Sequence, residues 1–509
     1  MRKVAVGGKG LRIDDLVLVA QEHAEVHFPA EAREHVAAGR RSLEEIVQRG
    51  KVTYGVNTGV GEFRTVVITE DRLVELQRNL VRSSACGVGP LLPEEVVRGM
   101  MLLRANAFAT GASGVRPELV EFLVSLLNSG VHPVVPSKGS VGSSGDLAPL
   151  AHISLVIMGE GEAFFRGDRL KGAEALRRAG LEPLELKAKE GLALINGTQM
   201  MTCIGALCLD RAFMVMKAAQ VAVALSVEAL KGTARAFDER LFRARPHPGA
   251  MVVAANLRNL LADSEILRSH ANLPHEVQDA YTLRCAPQVL GASLDALVAA
   301  RGTLEVEMNS ATDNPLVFDN GEVISGGNFH GMPVAMCLDH MALAVHVIGN
   351  FSERRIARLV DGKLSHLPPF LTSTKGLESG MMIPQYVAAS LASENKLLAS
   401  PTSADSIPTS ANQEDFNSMG SVGALRLMEM VRNTETIVAI ELLCAAQGLE
   451  FAKFRPGRGV QAAYGFIRTK VSRLVEDRPM SGDIEIMRQG IEQGQLVAQV
   501  EKECELRWC

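Results

Sequence analysis

Aromatic residues are scarce in this sequence: they make up 4% of its 509 residues, with 4 tyrosines and 1 tryptophan. It also lacks long runs of lysine and arginine, and its net charge is -5. Proteins that bind nucleic acid or anionic membranes usually concentrate positive charge in one region. The sequence therefore predicts neither nucleic acid nor a membrane as a partner, and it favours an enzyme that acts on a small molecule.

Signals for disulfides and for export are missing as well. The 8 cysteines include no CxxC pair, and a chain of this length buries enough apolar surface to fold without disulfides. Residues 1–20 alternate charged with apolar residues and lack the continuous apolar segment of a signal peptide. We therefore expect reduced cysteines and a cytoplasmic protein.

Small and flexible apolar residues, by contrast, are plentiful. Hydrophobic residues make up 47% of the chain, with Ala, Leu, Val and Met prominent, a mixture that favours closely packed helices. Short β segments are predicted within residues 3–13, followed by helices over 13–24 and 30–49. The sequence predicts a mainly α fold that begins with a small mixed region.

Two segments, 203–237 and 437–448, are apolar on almost every face, as buried helices are. Polar residues interrupt the first segment before about 18 apolar residues accumulate, which argues against a membrane span; they are Asp210, Arg211, Lys217 and Gln220. Clusters of Gly, Pro and Ser interrupt the helical pattern at residues 87–90, 133–145, 246–249 and 400–410. We expect the chemistry to lie at such interruptions.

Residues 139–152 read G-S-V-G-S-S-G-D-L-A-P-L-A-H and have three interpretations. A phosphate-binding loop needs lysine and Ser/Thr directly after the glycines, whereas Asp146 and Leu147 stand there. A serine-hydrolase elbow has the pattern G-x-S-x-G between a strand and a helix, whereas here the glycine directly follows the serine. The third interpretation is a cofactor that the chain makes from its own residues.

That cofactor is a methylidene-imidazolone ring. The amide nitrogen of Gly145 attacks the carbonyl carbon of Ser143, water leaves, and Ser144 then loses its hydroxyl as a second water. Gly145 has no Cβ and lets its nitrogen approach in a strained loop, while residue 143 need only be small. The product is an electrophile that no ordinary side chain provides, and no metal or nucleotide is expected beside it.

The same stretch resembles the signature of the aromatic amino acid ammonia-lyase and aminomutase family, in which alanine usually stands where this chain has Ser143. The resemblance continues through residues 54–59, 79–89, 196–198, 278–285, 313–315, 326–330 and 410–415. Chain length and the block Asn-Gln-Glu-Asp at 412–415 are similar to the histidine branch of that family. The resemblance implies a small mixed N-terminal domain that carries the ring (1–200) and a bundle of long helices (201–509). It also implies a homotetramer whose active sites each combine several subunits.

The resemblance also implies roles for single residues. Tyr54 would be the base that takes the β proton, which requires a pKa below the usual value of about 10. Arg284 would clamp the substrate carboxylate with its planar fork. If the helix extends back from Arg284, Tyr281 and Gln278 share its face and complete the site. Further pocket residues would be Asn196, binding the amine or carboxylate of the substrate, and Asn328 and Phe329 near the ring.

Substrate identity would depend most on Glu414, which we expect at the start of a helix, facing either the imidazole or the amine of the substrate. Two positions depart from the histidine branch: Ser84 stands where histidine is usual, and Phe416 follows the acidic block where histidine is usual. Serine is shorter and cannot titrate near neutrality. The expected activity is elimination of ammonia from L-histidine to give trans-urocanate. The alternatives are a lyase or aminomutase for tyrosine, phenylalanine or a related amino acid, and an inactive helical scaffold.

Overall fold

Helices dominate the computed structural model, which describes residues 3–271, 278–318 and 320–507. The first two predicted helices are present as α1 (Ile13–Gln21) and α2 (Ala30–Gln48). Each predicted interruption coincides with a break between helices. The mainly α prediction is confirmed.

The remaining helices of the described residues are α3 (Leu73–Ser84), α4 (Glu94–Ala109), α5 (Pro117–Ser129), α6 (Leu147–Ile157), α7 (Gly172–Arg178), α8 (Glu190–Ile195), α9 (Gln199–Ala229), α10 (Glu239–Ala244), α11 (Pro248–Leu260), α12 (Glu265–His270), α13 (Tyr281–Arg284), α14 (Ala286–Met308), α15 (Met332–Val360), α16 (Gly362–Ser365), α17 (Met382–Leu398), α18 (Gly420–Leu449), α19 (Arg458–Lys470), α20 (Ser481–Glu492) and α21 (Gln495–Glu501). The strands are β1 (Lys3–Ala5), β2 (Glu25–His27), β3 (Val88–Leu91), β4 (Val131–Pro133), β5 (Pro136–Lys138), β6 (Glu162–Phe165), β7 (Asp168–Lys171), β8 (Leu316–Val317) and β9 (Val323–Ile324).

The strands form small separate sheets. β1 pairs with β2 in parallel, whereas β3 with β5 and β8 with β9 are antiparallel pairs. A three-stranded antiparallel sheet has the order β4-β6-β7. Apart from β1, these short strands lie between helices along the chain and fix the ends of the neighbouring loops.

The chain divides into two compact units. The first unit comprises Met1–Asp210, Arg301–Asp339 and Pro401–Leu425, and the second comprises Arg211–Ala300, His340–Ser400 and Arg426–Cys509. The domain boundary after residue 200 stays a prediction, because a compact unit need not fold by itself.

The first long apolar segment forms α9, which ends at Ala229 instead of reaching residue 237. Lys231 has a left-handed φ of +49°, and the N–H of Gly232 donates to the carbonyl of Val227 at 2.7 Å. This pairing across six residues is a common way for a helix to end. α9 and α15 are long and apolar enough to cross a membrane, but 89% of the apolar window of α9 and 61% of that of α15 are buried inside the protein. Such burial is typical of core helices.

Candidate active site

The loop between β5 and α6 turns sharply at its glycines and at Ser144. The φ angles are +73° at Gly142, +57° at Ser144 and +74° at Gly145. A left-handed conformation costs a residue with a side chain about 1–2 kcal/mol, so the surroundings must hold Ser144 in place. A Cβ on Gly145 would lie 2.2 Å from the backbone nitrogen of Gly197. Only glycine therefore fits at position 145.

Asp146 follows this loop and ties it to the start of α9. One oxygen of its buried carboxylate accepts hydrogen bonds from the N–H groups of Met200 (2.9 Å) and Met201 (3.1 Å). The hydroxyls of Ser140 and Ser421 donate to the other oxygen. Burial raises the pKa of Asp146, and these four hydrogen bonds oppose that rise. The residue whose charge argued against a phosphate loop thus caps a helix.

Ser143, the departure from the usual alanine, has defined partners. Its Oγ accepts a hydrogen bond from the N–H of Ser418 at 3.1 Å and lies 3.4 Å from Nε2 of His330. The hydroxyl of Ser418 donates to the carbonyl of Gly142 at 2.8 Å. Hydrogen bonds from Ser418 therefore hold the loop in addition to those of Asp146.

A cavity of about 830 Å³ opens beside the loop, and every residue that lines it belongs to the first unit. This volume suits a small-molecule ligand. Eight of the residues predicted for the site lie in its wall: Tyr54, Ser84, Ser143, Ser144, Gly145, Asn196, Phe329 and Glu414.

Tyr54 is half-buried in the cavity wall. The N–H of Gly61 donates to its phenol oxygen at 3.2 Å, which leaves the hydrogen of the phenol itself free to point elsewhere. The backbone around Tyr54 is fixed because Asn57 Oδ1 accepts from the N–H of Thr53 at 2.7 Å. The tyrosine thus sits in a defined loop with its oxygen already accepting one hydrogen bond.

Asn196 follows α8 and is buried, with 4% of its surface exposed. Its Nδ2 donates to Oδ1 of Asp313 at 3.3 Å and to the carbonyl of Asn314 at 3.2 Å. The backbone carbonyl of Asn196 accepts a hydrogen bond from Nη1 of Arg104 at 2.8 Å. Burial lowers the pKa of Arg104 to about 10, which leaves it charged at neutral pH. Both the backbone and the amide of Asn196 are therefore held.

Glu414 lies in a loop, so the expectation that it starts a helix is wrong. The residues before it, Ser410, Ala411 and Asn412, have φ angles of +52°, +51° and +65°, and an α-helix cannot contain such a run. The next long helix, α18, begins at Gly420. Glu414 Oε2 accepts from the hydroxyl of Thr409 at 2.9 Å, which orients the carboxylate at the cavity wall.

The two positions that depart from the histidine branch differ in location. Ser84 is the last residue of α3 and lines the cavity. Phe416 is outside the lining and 57% exposed, and its ring stacks on His330 with the centroids 6.2 Å apart. Of the two, position 84 has the direct access to a ligand in this cavity.

Four predicted residues do not line the cavity. Asn328 is in the first unit, where its Nδ2 donates to the carbonyl of Ala311 at 3.3 Å. Gln278, Tyr281 and Arg284 belong to the second unit. Because α13 begins at Tyr281, Gln278 precedes the helix, and the shared face expected for it is not formed.

Arg284 and Tyr281 contact each other in that unit. The guanidinium of Arg284 lies 4.6 Å from the centroid of the Tyr281 ring, and its Nε donates to the carbonyl of Asp279 at 3.0 Å. Tyr281 is 67% exposed. The Tyr281 ring is therefore accessible from solvent, whereas Arg284 is half-buried beside it.

Several residues of the site were given no role by the sequence. Arg64 and Gln413 line the cavity, and Lys189 pairs with Asp313 behind Asn196. Asp313 lies inside a matching segment, so its position in the motif was the available signal. For Lys189 no pattern marks the residue, because its burial becomes visible only in the fold.

Among the described residues, one group of side chains is close enough to share a metal ion: His23, Glu94 and His132. Nη1 of Arg98 lies 3.0 Å from Nε2 of His132. Arginine can only donate, so Nε2 accepts and the ring hydrogen sits on Nδ1, 3.3 Å from the Glu94 carboxylate. Burial, with Arg98 next in importance, lowers the pKa of His132 to about 4. This arrangement is a hydrogen-bonded cluster and offers a metal no lone pair from His132.

Comparisons with known proteins agree along the whole chain. The model of the aromatic amino acid lyase family matches residues 11–469. The histidine ammonia-lyase of Caldanaerobacter subterraneus subsp. tengcongensis is 52% identical over 496 residues, which cover 96% of this chain and 97% of that protein. The solved histidine ammonia-lyase of Trypanosoma cruzi has a TM-score of 0.92 at 40% identity, covering 99% and 96% of the two chains. Tyrosine aminomutase from Streptomyces globisporus has a TM-score of 0.94 at 37% identity and full coverage of both chains.

A mainly α chain with these relatives is an enzyme of the carbon–nitrogen lyase class, as the sequence predicts. The chain belongs to the aromatic amino acid lyase family. The family resemblance read from the motifs is thereby confirmed, and the inactive scaffold is set aside.

Proposed function

We propose that this ammonia-lyase acts on L-histidine and releases trans-urocanate, using a methylidene-imidazolone ring that forms from Ser143, Ser144 and Gly145. The observation that carries the proposal is the loop itself. Its residues Ser144 and Gly145 are both left-handed, and they line a cavity together with Tyr54 and Asn196. Curated relatives at 50–52% identity over nearly the whole chain bear the name histidine ammonia-lyase, which supports this substrate.

The residues present fit the ring. Gly145 carries no Cβ, as its close approach to the backbone of Gly197 requires, and Ser144 beside it is held in a left-handed turn. Closure expels one water, and loss of the Ser144 hydroxyl with its α hydrogen expels a second. The ring supplies an electrophilic carbon to which the amine of the substrate can bond.

Tyr54 would remove the β proton of the substrate. The N–H of Gly61 on its phenol oxygen supports this role, because a donor there stabilises negative charge on that oxygen. Asn196 would hold the amine or carboxylate of the substrate, and Phe329 and Asn328 would border the ring. Glu414, oriented by Thr409, would face the imidazole or the amine.

Arg284 would clamp the carboxylate, with Gln278 and Tyr281 beside it. We place this contribution in a homotetramer in which each active site combines residues from several subunits. The exposure of Tyr281 and its stacking with Arg284 are compatible with such use. We expect the enzyme to work in the cytoplasm, without nucleic acid or membrane partners.

A second candidate is a lyase or aminomutase for tyrosine or phenylalanine. The observation that favours it is Ser84, which lines the cavity where an imidazole is usual in the histidine branch. The high TM-score to a tyrosine aminomutase shows that the same fold hosts that chemistry. An aminomutase would return the amine to the β carbon and release a β-amino acid.

Two measurements test the proposal together. Intact mass of the purified protein should fall short of the encoded mass by two waters, and Ser144→Ala should restore one of the losses and abolish turnover. Ammonia and ultraviolet-absorbing product should be assayed with histidine, tyrosine and phenylalanine. Active protein at the full encoded mass would overturn the ring, and a preference for tyrosine or phenylalanine would overturn the substrate.

Ser84→His probes how the cavity selects its substrate. An imidazole adds a polar partner for the histidine side chain and removes space for a phenyl ring. We expect the ratio of kcat/KM for histidine to that for phenylalanine to rise in the variant. An unchanged ratio would mean that position 84 does not contact the substrate side chain, and selection would then rest on Glu414.

A further inference from the structure

Behind the cavity wall lies an ion pair that no part of the proposed chemistry uses. Nζ of Lys189 donates to Oδ2 of Asp313 at 2.6 Å, and both side chains are completely buried. Lys189 also has a left-handed φ of +75°, an unfavourable conformation for a residue with a side chain. A buried pair of this kind contributes little net stability, because both charges lose their hydration. Its position at the site therefore calls for another explanation.

Asp313 connects the pair to the cavity. Its second oxygen, Oδ1, accepts from the N–H of Asn314 at 2.6 Å and from Nδ2 of Asn196 at 3.3 Å. Nδ2 of Asn196 also donates to the carbonyl of Asn314 at 3.2 Å. A carboxylate and a carbonyl can only accept, so the amide of Asn196 cannot be turned over.

This orientation leaves the other end of the amide without a partner. Oδ1 of Asn196 is shielded from water and makes no hydrogen bond, although the residue lines the cavity. Buried acceptors in proteins are nearly always satisfied, and a ligand that satisfies one gains affinity. An acceptor selects a donor, and the ammonium group is the strong donor that every amino acid substrate carries.

We propose that Lys189 and Asp313 are positioning residues: they lock the amide of Asn196 so that its Oδ1 accepts a hydrogen bond from the ammonium group of the substrate. The proposal rests on the proposed function for its ligand. It narrows the role of Asn196 to the amine, because the Nδ2 group that a carboxylate would need is already engaged. Lys189 acts indirectly, because it holds Asp313, which in turn holds Asn196.

Asp313→Asn tests this chain of contacts. The new amide has one oxygen and one NH₂ group, and Lys189, itself a donor, attracts the oxygen. The NH₂ group must then face Nδ2 of Asn196, which opposes two donors and drives Asn196 to rotate. The double variant Lys189→Gln with Asp313→Asn removes that conflict. The glutamine carbonyl accepts from the new NH₂ group, and the oxygen returns to Asn196.

Binding is measured by calorimetry on the full-length protein carrying Ser144→Ala, so that no turnover interferes. Three ligands separate the contacts: L-histidine, histamine (amine without carboxylate) and imidazolepropionate (carboxylate without amine). In Asp313→Asn, we expect histidine and histamine to bind about 10- to 100-fold more weakly, the range for a hydrogen bond to a charged group. Imidazolepropionate should change less than about threefold. The double variant should recover most of the loss.

A matched control uses a second completely buried ion pair, Arg355–Glu441, which lies in the second unit. Glu441→Gln should lower the thermal midpoint while leaving all three affinities unchanged. Equal weakening of all three ligands in Asp313→Asn, selective loss of imidazolepropionate, or failure of the double variant to recover would each overturn the proposal.

An error in the proposed substrate would give a different result from an error in the roles of Lys189 and Asp313. If the unmodified enzyme turns over another amino acid, the same comparison is made with the matching series, for example phenylalanine, phenethylamine and phenylpropionate. The selectivity for the amine then tests the positioning pair whichever side chain is bound. Intact mass and the substrate panel test the ring and the substrate separately.

Discussion

Two completely buried ion pairs, one in each compact unit, have the same charges but different surroundings. In the second unit, both oxygens of Glu441 are bound by Arg355 in a bidentate pair, with distances of 2.5 and 2.7 Å. The hydroxyls of Ser226 and Ser352 each donate to one of those oxygens. All four donors come from side chains on long helices, so this carboxylate is fully satisfied within a rigid frame.

In the first unit, the network around Asp313 is open at one end. It runs from Lys189 through Asp313 to Asn196, a residue of the cavity wall, and it ends at the unpartnered Oδ1 of that asparagine. Its members lie in loops or beside short helices, not along long ones. Each network leaves one buried group unpartnered, Nη1 of Arg355 in the second unit and Oδ1 of Asn196 in the first, but of these two residues only Asn196 lines the described cavity. We therefore assign the first network to ligand binding and the second to the architecture. Experiments that separate activity from stability can break or sharpen this contrast.

The largest effect is expected at Tyr54 in the first unit. Tyr54→Phe should lower kcat by several orders of magnitude and leave ligand affinity nearly unchanged, because the phenol acts mainly in the transition state. The thermal midpoint should hardly move, since the phenol makes a single hydrogen bond, to Gly61. Steady-state kinetics with matched thermal melts measure both. A variant that keeps more than about a tenth of kcat, a barrier rise below about 1.4 kcal/mol, would show that another group is the base.

At Arg355 in the second unit we expect the opposite result, a loss of stability without a loss of activity. Arg355→Met strands the Glu441 carboxylate without its cation, which should cost about 3–5 kcal/mol of unfolding free energy. KM and kcat per folded molecule should stay as in the parent protein. Urea unfolding followed by kinetics at low temperature makes the comparison. An altered KM would mean that this pair also serves the site, and the contrast between the units would fail.

The sequence predicts the chemistry of this site better than its geometry. Ser143, Ser144, Gly145 and Tyr54 stand in short motifs whose residue types follow from the reaction, and all four line the cavity. Glu414 was expected at a helix start, but periodicity does not reveal left-handed residues such as Ala411.

Contacts distant in sequence were the harder part. Lys189 and Asp313 are 124 residues apart, and Lys189 looks like an ordinary surface lysine until the fold buries it. Gln278 and Arg284 have helical spacing, but the helix starts only at Tyr281. Local pattern predicts elements and motifs, whereas pairing of buried charges depends on tertiary packing.

The smallest expected effect compares two buried carboxylates and depends on pH. Asp146 in the first unit has four hydrogen-bond donors that oppose the effect of burial. Glu228 in the second unit has fewer, the N–H of Gly457 and the hydroxyl of Ser264, and burial raises its pKa to about 7. A raised carboxyl pKa means that the native state binds more protons than the unfolded state between about pH 4.5 and 7. Stability from this group is therefore complete at low pH and is lost as the pH rises through 7.

Glu228→Gln removes that titration and keeps the shape of the side chain. The free energy of unfolding of the variant minus that of the parent should increase from pH 5 to pH 8. The increase should be no more than about 3 kcal/mol, the limit set by a pKa shift of this size. Urea unfolding of both proteins at the two pH values gives the difference, in which all other titrating groups cancel. Asp146→Asn should show a change of the same sign, because the pKa of Asp146 is also raised despite its four donors. A Glu228→Gln effect that is the same at pH 5 and pH 8 would mean that Glu228 is ionised throughout and that burial does not raise its pKa.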